Sequence, residues 1–120
     1  MPRTTGGGDV EGCVFCGIAA GEIPATIVFE DDDFVAFEDL NPKAPVHVLV
    51  VPRQHSSQVG EMEEHLFGPL LKVGVEVAAR MGIEGSGYRF VINTGDDGGQ
   101  TVGHTHLHVL GGRRLSWPPG

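Results

Sequence analysis

The stretch His104-Thr105-His106-Leu107-His108-Val109-Leu110 places three of the chain's six histidines at every second position of an apolar segment. On an extended strand, alternate side chains project from the same face, roughly 6.5 to 7 Å apart. Imidazole titrates near neutral pH and can act as nucleophile, proton carrier or metal ligand. The stretch therefore predicts a β-strand with a chemically reactive face. Two alternatives remain open: the histidines fill the polar face of an edge strand, or all three bind one metal ion in an open catalytic site.

The pattern His-x-His-x-His followed by two apolar residues resembles the histidine-triad family of nucleotide hydrolases and transferases. The resemblance runs roughly from Cys13 to the C-terminus. The matching segments are Glu22-Ile23-Pro24-Ala25, Phe29-Glu30-Asp31-Asp32, Asp39-Leu40-Asn41-Pro42-Lys43-Ala44-Pro45, Val50-Val51-Pro52-Arg53-Gln54-His55 and Gly98-Gly99-Gln100-Thr101-Val102. The tail, Leu110-Gly111-Gly112-Arg113 and Trp117-Pro118-Pro119-Gly120, is similar to the Hint branch, the histidine-triad nucleotide-binding proteins.

Length and composition predict one soluble domain. A chain of 120 residues with 40% hydrophobic content suits a single core, which we assign to residues 12–120, after a flexible N-terminal tail over residues 1–11. We expect a cytoplasmic protein with no membrane partner, because no apolar segment reaches membrane-spanning length and no secretory signal is recognisable. Sixteen acidic residues against eight basic ones argue against binding a nucleic-acid polymer.

Hydrophobic periodicity predicts an α+β fold with a five-stranded, mainly antiparallel sheet, one long helix and one short helix. The predicted strands cover residues 26–30, 34–38, 46–51, 88–93 and 104–110, and the predicted helices cover residues 16–21 and 69–81. The resemblance implies the histidine-triad fold and a homodimer whose sheets join. The candidate contact surfaces of this dimer are the helix over residues 69–81 and the strand over residues 88–93.

The resemblance also implies a catalytic assignment. His106 is the expected nucleophile toward the α-phosphorus of a nucleotide, and His108 is the expected donor to a phosphate oxygen. His104 completes the triad. Asn93 and Thr101 are expected to contact the phosphate and the leaving group. Because glycine has no Cβ, Gly98, Gly99 and Gly103 would let backbone N–H groups approach the phosphate. His47 lies behind the triad, either as a second supporting group or as a core histidine.

For the nucleoside, the resemblance implies that Asp39 accepts both ribose hydroxyls. The corresponding purine slot consists of Phe15, Ile18, Ile23, Phe37 and Leu40, for which ordinary core is the alternative. Nucleotide contacts are also expected from Asn93, Gly99, Gln100, Thr101, His106 and His108. Arg53 and Lys43 are expected to be surface charges.

The implied activity is hydrolysis of purine nucleoside phosphoramidates through a nucleotidyl-histidine intermediate that releases the nucleoside monophosphate, with aminoacyl adenylates as further substrates. One alternative is hydrolysis of dinucleoside polyphosphates, as in another branch of the family. An alternative of a different class is a purine nucleotide-binding scaffold with incidental activity. No cofactor is expected to be needed for the chemistry.

The chain's two cysteines, Cys13 and Cys16, have the Cys-x-x-Cys spacing. In a cytoplasmic protein this spacing is more typical of metal binding or redox chemistry than of a structural disulfide. With His55 and His104 they complete a Cys₂His₂ set, which suits a closed tetrahedral zinc site. Some bacterial histidine-triad proteins carry such a site, whereas the familiar Hint pattern lacks the cysteine pair. The alternative is two reduced, packed cysteines.

Overall fold

The computed structural model describes residues 10–120. It contains a five-stranded sheet in the order β1-β2-β3-β5-β4, in which every neighbouring pair is antiparallel. The strands are β1 (Ile27–Glu30), β2 (Phe34–Glu38), β3 (Val46–Pro52), β4 (Tyr88–Val91) and β5 (Leu107–Gly111). The helices are α1 (Val14–Ala19) and α2 (Phe67–Arg80), with two 3₁₀ turns, Val59–Glu61 and Glu64–Leu66, before α2. The predicted α+β class, five strands and long helix are confirmed.

Helix α2 covers one face of the sheet. Its buried side includes Leu70, Val73 and Val77, as the helical spacing predicts, and these residues belong to the main core with Leu107 of β5. The helix comes so close to the sheet that a Cβ atom on Gly74 would lie 2.7 Å from the Phe90 ring and 2.8 Å from Leu107. Glycine is therefore required there by packing, and the opposite face of the sheet is left for the site.

A second, smaller core lies on that opposite face, under α1. It contains Phe15 and Ala19 of α1, together with Phe37 of β2 and Leu49 of β3. Side chains on β3 and β5 alternate between the two faces, so Leu107 and Val109 of β5 point toward α2 while His108 and Leu110 point toward the face that carries α1. Within residues 10–120, no helix is long and apolar enough to cross a membrane.

Two element boundaries differ from the prediction for identifiable reasons. Strand β5 begins at Leu107 rather than at residue 104, because the Thr105 N–H donates to Ser56 O and the His106 ring bonds to the His104 carbonyl. Helix α2 begins at Phe67, two residues before Pro69. Proline is tolerated there because the first N–H groups of a helix have no intrahelical partner.

Three smaller boundaries also move. Strand β3 runs through Pro52, and β4 ends at Val91, two residues before Asn93. The short helix covers residues 14–19 rather than 16–21, because Cys13 caps it by accepting the Cys16 N–H on its sulfur. The predicted flexible tail lies outside the described residues except for positions 10 and 11.

Arg53 is not the surface charge that was expected. It is buried, and its guanidinium donates to Ala19 O at 2.6 Å, to Asp31 O at 2.8 Å and to Glu30 Oε1 at 3.0 Å. Because Ala19 is the last residue of α1, these bonds fix the C-terminal end of that helix against the β1–β2 turn. The short helix is thereby held in place over the site.

Candidate active site

A cavity of about 710 Å³ opens on the face of the sheet that carries α1. It brings together most of the predicted site residues, from α1, β2, the turn after β2, β5 and the end of β4. Its lining includes Phe15, Ile18, Ile23, Phe37, Asp39, Leu40, His47, Asn93, Thr101, His106 and His108. His104, Gly99 and Gln100 are not among the lining residues, so the three triad histidines do not share one environment.

The His106 ring is fixed as one tautomer. Its Nδ1 lies 2.7 Å from the His104 carbonyl oxygen, which can only accept, so Nδ1 carries the proton. In the neutral ring, the lone pair is then on Nε2. The ring is buried, with the Phe15 ring edge-on at 5.2 Å between centroids. A neutral imidazole held in this way needs no deprotonation before it attacks an electrophile.

The His108 ring is fixed as the opposite tautomer through His47. The Lys43 backbone N–H donates to His47 Nδ1 at 3.0 Å, so the proton of a neutral His47 lies on Nε2. That nitrogen lies 2.9 Å from His108 Nδ1, which must then accept. The proton of His108 is therefore on Nε2, a buried atom without a hydrogen-bond partner among the described residues. An N–H donor beside the cavity is thus available for a ligand oxygen.

The pKa values of both supporting histidines favour these neutral forms. Burial, followed by the proximity of His106 and His47, lowers the pKa of His108 to about 4. Burial also lowers the pKa of His47, although the nearby Asp39 carboxylate opposes the shift. The contact of 3.4 Å between His47 Nε2 and Asp39 Oδ2 therefore involves a neutral ring and is not a salt bridge at pH 7. It is longer than the bond of the same nitrogen to His108.

The side of the cavity formed by α1 and β2 is largely apolar and also carries the Asp39 carboxylate. Asp39 Oδ1 accepts the Asn41 N–H at 2.8 Å, which orients the carboxylate at the turn after β2. Phe15 and Phe37 pack edge to face at 5.4 Å and form the inner wall. Leu40 is 97% exposed, so it lies at the mouth of the cavity and does not form part of an enclosed slot.

The Gly-rich loop after β4 is held by Gln100. Its side-chain amide donates to Ser57 O at 2.7 Å and to Val102 O at 2.9 Å, while its oxygen accepts the Gly95 N–H. Gln100 thus shapes the loop from behind and does not face the cavity. Thr101, the next residue, does line it.

A family model described as the HIT domain matches residues 20–115, which is most of the chain. The chain belongs to the HIT family. It is 53% identical over 113 residues to an uncharacterized HIT-like protein of Synechocystis sp., covering 92% of this chain and 98% of that protein. It is 45% identical over 112 residues to the 14 kDa zinc-binding protein of Zea mays, covering 89% of this chain and 87% of that one.

A solved HIT structure supports the same assignment. The crystal structure of a HIT family hydrolase from Legionella pneumophila Philadelphia 1 matches with a TM-score of 0.86 and 45% sequence identity, covering 90% of this chain and 99% of that chain. The HIT fold that the sequence resemblance implied is thereby confirmed.

Behind the cavity of this HIT domain, Cys13, Cys16, His55 and His104 converge, with their ligand atoms all within 4.8 Å of one another. The nearest separations are 3.2 Å between the two Nδ1 atoms and 3.3 to 3.6 Å between sulfur and Nδ1. A tetrahedral zinc ion with Zn–N bonds of about 2.0–2.1 Å and Zn–S bonds of about 2.3 Å has edges of roughly 3.3 to 3.8 Å. The cluster therefore has the dimensions of a zinc site.

The tautomer of His104 also fits a metal. Its Nε2 lies 2.8 Å from the Pro52 carbonyl oxygen and must carry the proton, so the Nδ1 lone pair faces the cluster. Such a bond from the outer ring nitrogen to a carbonyl is the usual support of a metal-binding histidine. The open-site alternative with all three triad histidines on one ion does not fit, because His104 points into the cysteine cluster while His108 pairs with His47.

Several lining residues were missed from the sequence. Val91 pairs with His108 across β4 and β5, and Leu110 follows His108 by two positions, so strand alternation could have identified both. Lys43 is exposed, as expected, and it also lines the mouth of the cavity and supplies the backbone N–H that fixes His47. Pro119 reaches the cavity from the C-terminal tail, and no periodic signal marks it.

Proposed function

We propose that this HIT protein is a hydrolase that cleaves the phosphorus–nitrogen bond of purine nucleoside phosphoramidates and releases the nucleoside monophosphate. The observation that carries the proposal is the pair of oppositely fixed imidazoles in one cavity. His106 presents a lone pair at Nε2, and His108 presents an N–H at Nε2. A nucleophile beside a donor suits attack on a phosphorus whose oxygens gain negative charge.

In the first step, His106 Nε2 forms a bond to the α-phosphorus while the bond from phosphorus to the amine nitrogen breaks. The amine leaves with a proton taken up from water, and the nucleotidyl-imidazolium keeps its Nδ1–H on the His104 carbonyl. His108 Nε2–H donates to a non-bridging phosphate oxygen, and we assign Asn93 and Thr101 to the phosphate and the leaving group. Such donors lower the barrier by stabilising charge that develops in the transition state.

In the second step, a water oxygen attacks phosphorus and the bond to His106 Nε2 breaks. The water gives up one proton to solvent, and the imidazole returns to its starting tautomer because the His104 carbonyl still holds Nδ1–H. The net reaction is phosphoramidate plus water giving nucleoside monophosphate plus amine. No chemical step is assigned to a metal ion.

The purine and ribose assignments rest on the other end of the cavity. Asp39 is oriented by its own turn and is only partly buried, so its two oxygens keep lone pairs that could accept from two vicinal hydroxyls. Phe15, Phe37 and Ile18 line the cavity with apolar surface on which a purine ring could pack. This combination supports a nucleoside ligand more than a simple phosphoester.

Two alternatives use the same cavity. Dinucleoside polyphosphates and aminoacyl adenylates also place a leaving group on an α-phosphorus, so the same nucleophile serves them. A purine-binding scaffold with incidental activity is the alternative of another class. The opposed tautomers favour an enzyme, because recognition of a purine base requires neither of them.

The test is a steady-state comparison of adenosine 5′-phosphoramidate, an aminoacyl adenylate and a dinucleoside polyphosphate under one set of conditions, beside equilibrium binding of AMP. We expect the phosphoramidate to have the highest kcat/KM. Faster cleavage of the polyphosphate would show that the protein is a dinucleoside polyphosphate hydrolase instead. AMP binding without turnover of any substrate would favour the purine-binding scaffold.

We also propose a Cys₂His₂ zinc ion at Cys13, Cys16, His55 and His104. The likeness to a protein named for zinc binding supports this assignment, together with the tetrahedral dimensions of the cluster. The ion would have a structural role, because four protein ligands complete its coordination.

We further propose that the protein forms a homodimer through α2 and the free edge of β4. Phe67, Leu71 and Val75 recur every fourth residue of α2 and are 43 to 46% exposed, which forms an apolar stripe on the helix. Light scattering at micromolar concentration is expected to give twice the mass of the chain. Leu71→Glu should shift the mass toward the monomer, whereas Lys72→Glu on the same helix should not. A monomeric wild-type protein would contradict the proposal.

A further inference from the structure

Three arginines line a second cavity, of about 470 Å³, next to the candidate active site. They are Arg89 on β4 and Arg113 and Arg114 at the start of the C-terminal tail. The chain has eight basic residues and sixteen acidic ones, so a pocket lined by three cations is not what its composition predicts. A local concentration of positive charge in an acidic protein indicates a site for an anion.

Two of the three guanidinium groups in this arginine pocket donate to neutral oxygens. Arg89 Nη2 donates to Ser116 O at 2.9 Å, and Arg113 donates to Arg114 O at 3.1 Å and to Lys43 O at 3.0 Å. By contrast, Arg53 and Arg80 pair with Glu30 and Glu76. Within residues 10–120, none of the three pocket arginines has a carboxylate within 4.0 Å. Carbonyl bonds orient a guanidinium without neutralising it, and its five N–H groups leave donors for a ligand.

The sheet register places Arg89 beside the active-site cavity. Arg89 pairs with Leu110 across β4 and β5, and the next inward pair on the same face is Val91 with His108. Leu110 and Val91 both line the active-site cavity, so Arg89 lies at its edge, roughly 6.5 to 7 Å from Val91 along β4. The purine-side residues Phe37 and Leu49 lie on β2 and β3, on the opposite side of β5.

The tail and Lys43 connect the two cavities. The Arg89 guanidinium lies over the Trp117 ring at 5.9 Å, and Pro119, two residues later, lines the active-site cavity. Arg113 bonds to the carbonyl of Lys43, which also lines that cavity. A substrate that extends past the α-phosphate along this tail would therefore meet the arginine pocket.

We propose that Arg89, Arg113 and Arg114 form a subsite for an anionic group carried by the leaving part of the substrate. This inference rests on the proposed function, because it takes the α-phosphate to lie at His106 and His108. The anion is either a carboxylate on the leaving amine or a further phosphate, since guanidinium binds both through paired N–H donors. A cationic amine is disfavoured by the same charges.

The experiment compares kcat/KM and equilibrium affinity for matched adenosine 5′-phosphoramidates. The leaving amines are β-alanine, which carries a carboxylate, its uncharged amide, and 1,3-diaminopropane, which carries a cation. A dinucleoside tetraphosphate tests whether the subsite binds a further phosphate instead. We expect the wild-type protein to prefer the carboxylate over the amide by about three- to tenfold, the range given by one or two solvent-exposed ion pairs. The preference should shrink in 0.5 M salt, which screens such pairs.

The variant that tests the subsite is Arg114→Glu. Arg114 is an exposed member of the set, so its replacement leaves the carbonyl bonds of Arg89 and Arg113 in place. It should remove or reverse the preference for the carboxylate, while the amide substrate changes much less. Arg80→Gln removes a cation from α2, away from the arginine pocket, and the preference should stay as in the wild-type protein.

The outcomes separate the subsite from the proposed function. The subsite is overturned, even where phosphoramidates are good substrates, if the wild-type preference for the carboxylate is below twofold in both kcat/KM and affinity and the tetraphosphate shows no dependence on Arg114 either. It is also overturned if the preference survives Arg114→Glu. If no phosphoramidate is cleaved, the proposed function fails, and tighter binding of the carboxylate ligand than of the amide still supports the subsite. If the tetraphosphate alone shows the dependence on Arg114, the anion is a phosphate.

Discussion

Replacing His106 with Asn is expected to lower hydrolysis of adenosine 5′-phosphoramidate by on the order of 10⁴-fold or more, the scale seen when an enzyme loses its nucleophile. Asn has no ring nitrogen with a lone pair that could form a bond to phosphorus. AMP binding should remain close to that of the wild-type protein, because Asp39 and the apolar wall of the cavity are unchanged. Calorimetry of AMP binding and single-turnover kinetics measure the two effects separately.

Rapid quench of the wild-type protein with labelled substrate should trap an acid-labile, base-stable nucleotidyl-histidine on the peptide covering residues 100–113. His108→Ala is the matched variant, since it removes a donor and leaves the nucleophile. The loss of one such donor typically costs on the order of 10²- to 10³-fold in rate. Near-normal turnover by His106→Asn, or a label outside this peptide, would show that the assigned mechanism is wrong while the HIT fold stands.

The parts of the fold that the sequence predicts well are those with a long periodic signal. The buried stripe of α2, Leu70, Val73 and Val77, follows helical spacing, and the alternation along β5 places His108 and Leu110 on the cavity face. These patterns arise because one side of each element must be buried against a neighbour.

The features that the sequence does not predict depend on single tertiary contacts. Arg53 looks like any surface cation in the sequence, yet three oxygens from α1 and the β1–β2 turn hold it in the interior. His104 appears to continue the row of His106 and His108, but its ring turns to the cysteine cluster. No periodic pattern specifies which carbonyl a buried side chain will reach.

The tautomers are a second example. The proton positions on His47 and His108 follow from one backbone N–H, that of Lys43, which becomes visible only when the turn after β2 is folded against β3. The sequence indicated a reactive row of imidazoles. The structure divides that row into His106, whose Nδ1 is bonded to a carbonyl, His108, whose Nδ1 is bonded to His47, and His104, which faces the two cysteines.

Removal of the proposed zinc ion is expected to lower the melting temperature by roughly 10 to 20 °C, the shift that a few kcal/mol produces in a domain of this size. Cys13 and Cys16 hold the N-terminal end of α1, and Arg53 holds only its C-terminal end. Without metal, the two cysteine sulfurs and the facing Nδ1 atoms of His55 and His104 lose their common partner.

The loss of zinc should also weaken AMP binding, because α1 carries Phe15 and Ile18 into the cavity and Phe15 packs on His104 and His106.

Elemental analysis of the purified protein should give one zinc per chain, and melting curves with and without a chelator measure its contribution to stability. Cys16→Ser should reproduce the chelator effect and abolish the response to added zinc, whereas His65→Ala, at an exposed histidine outside the cluster, should retain both metal and melting temperature. If the purified protein is metal-free and added zinc does not change its melting, then Cys13 and Cys16 act only as packed thiols, and the position of α1 depends on its apolar contacts and Arg53 alone.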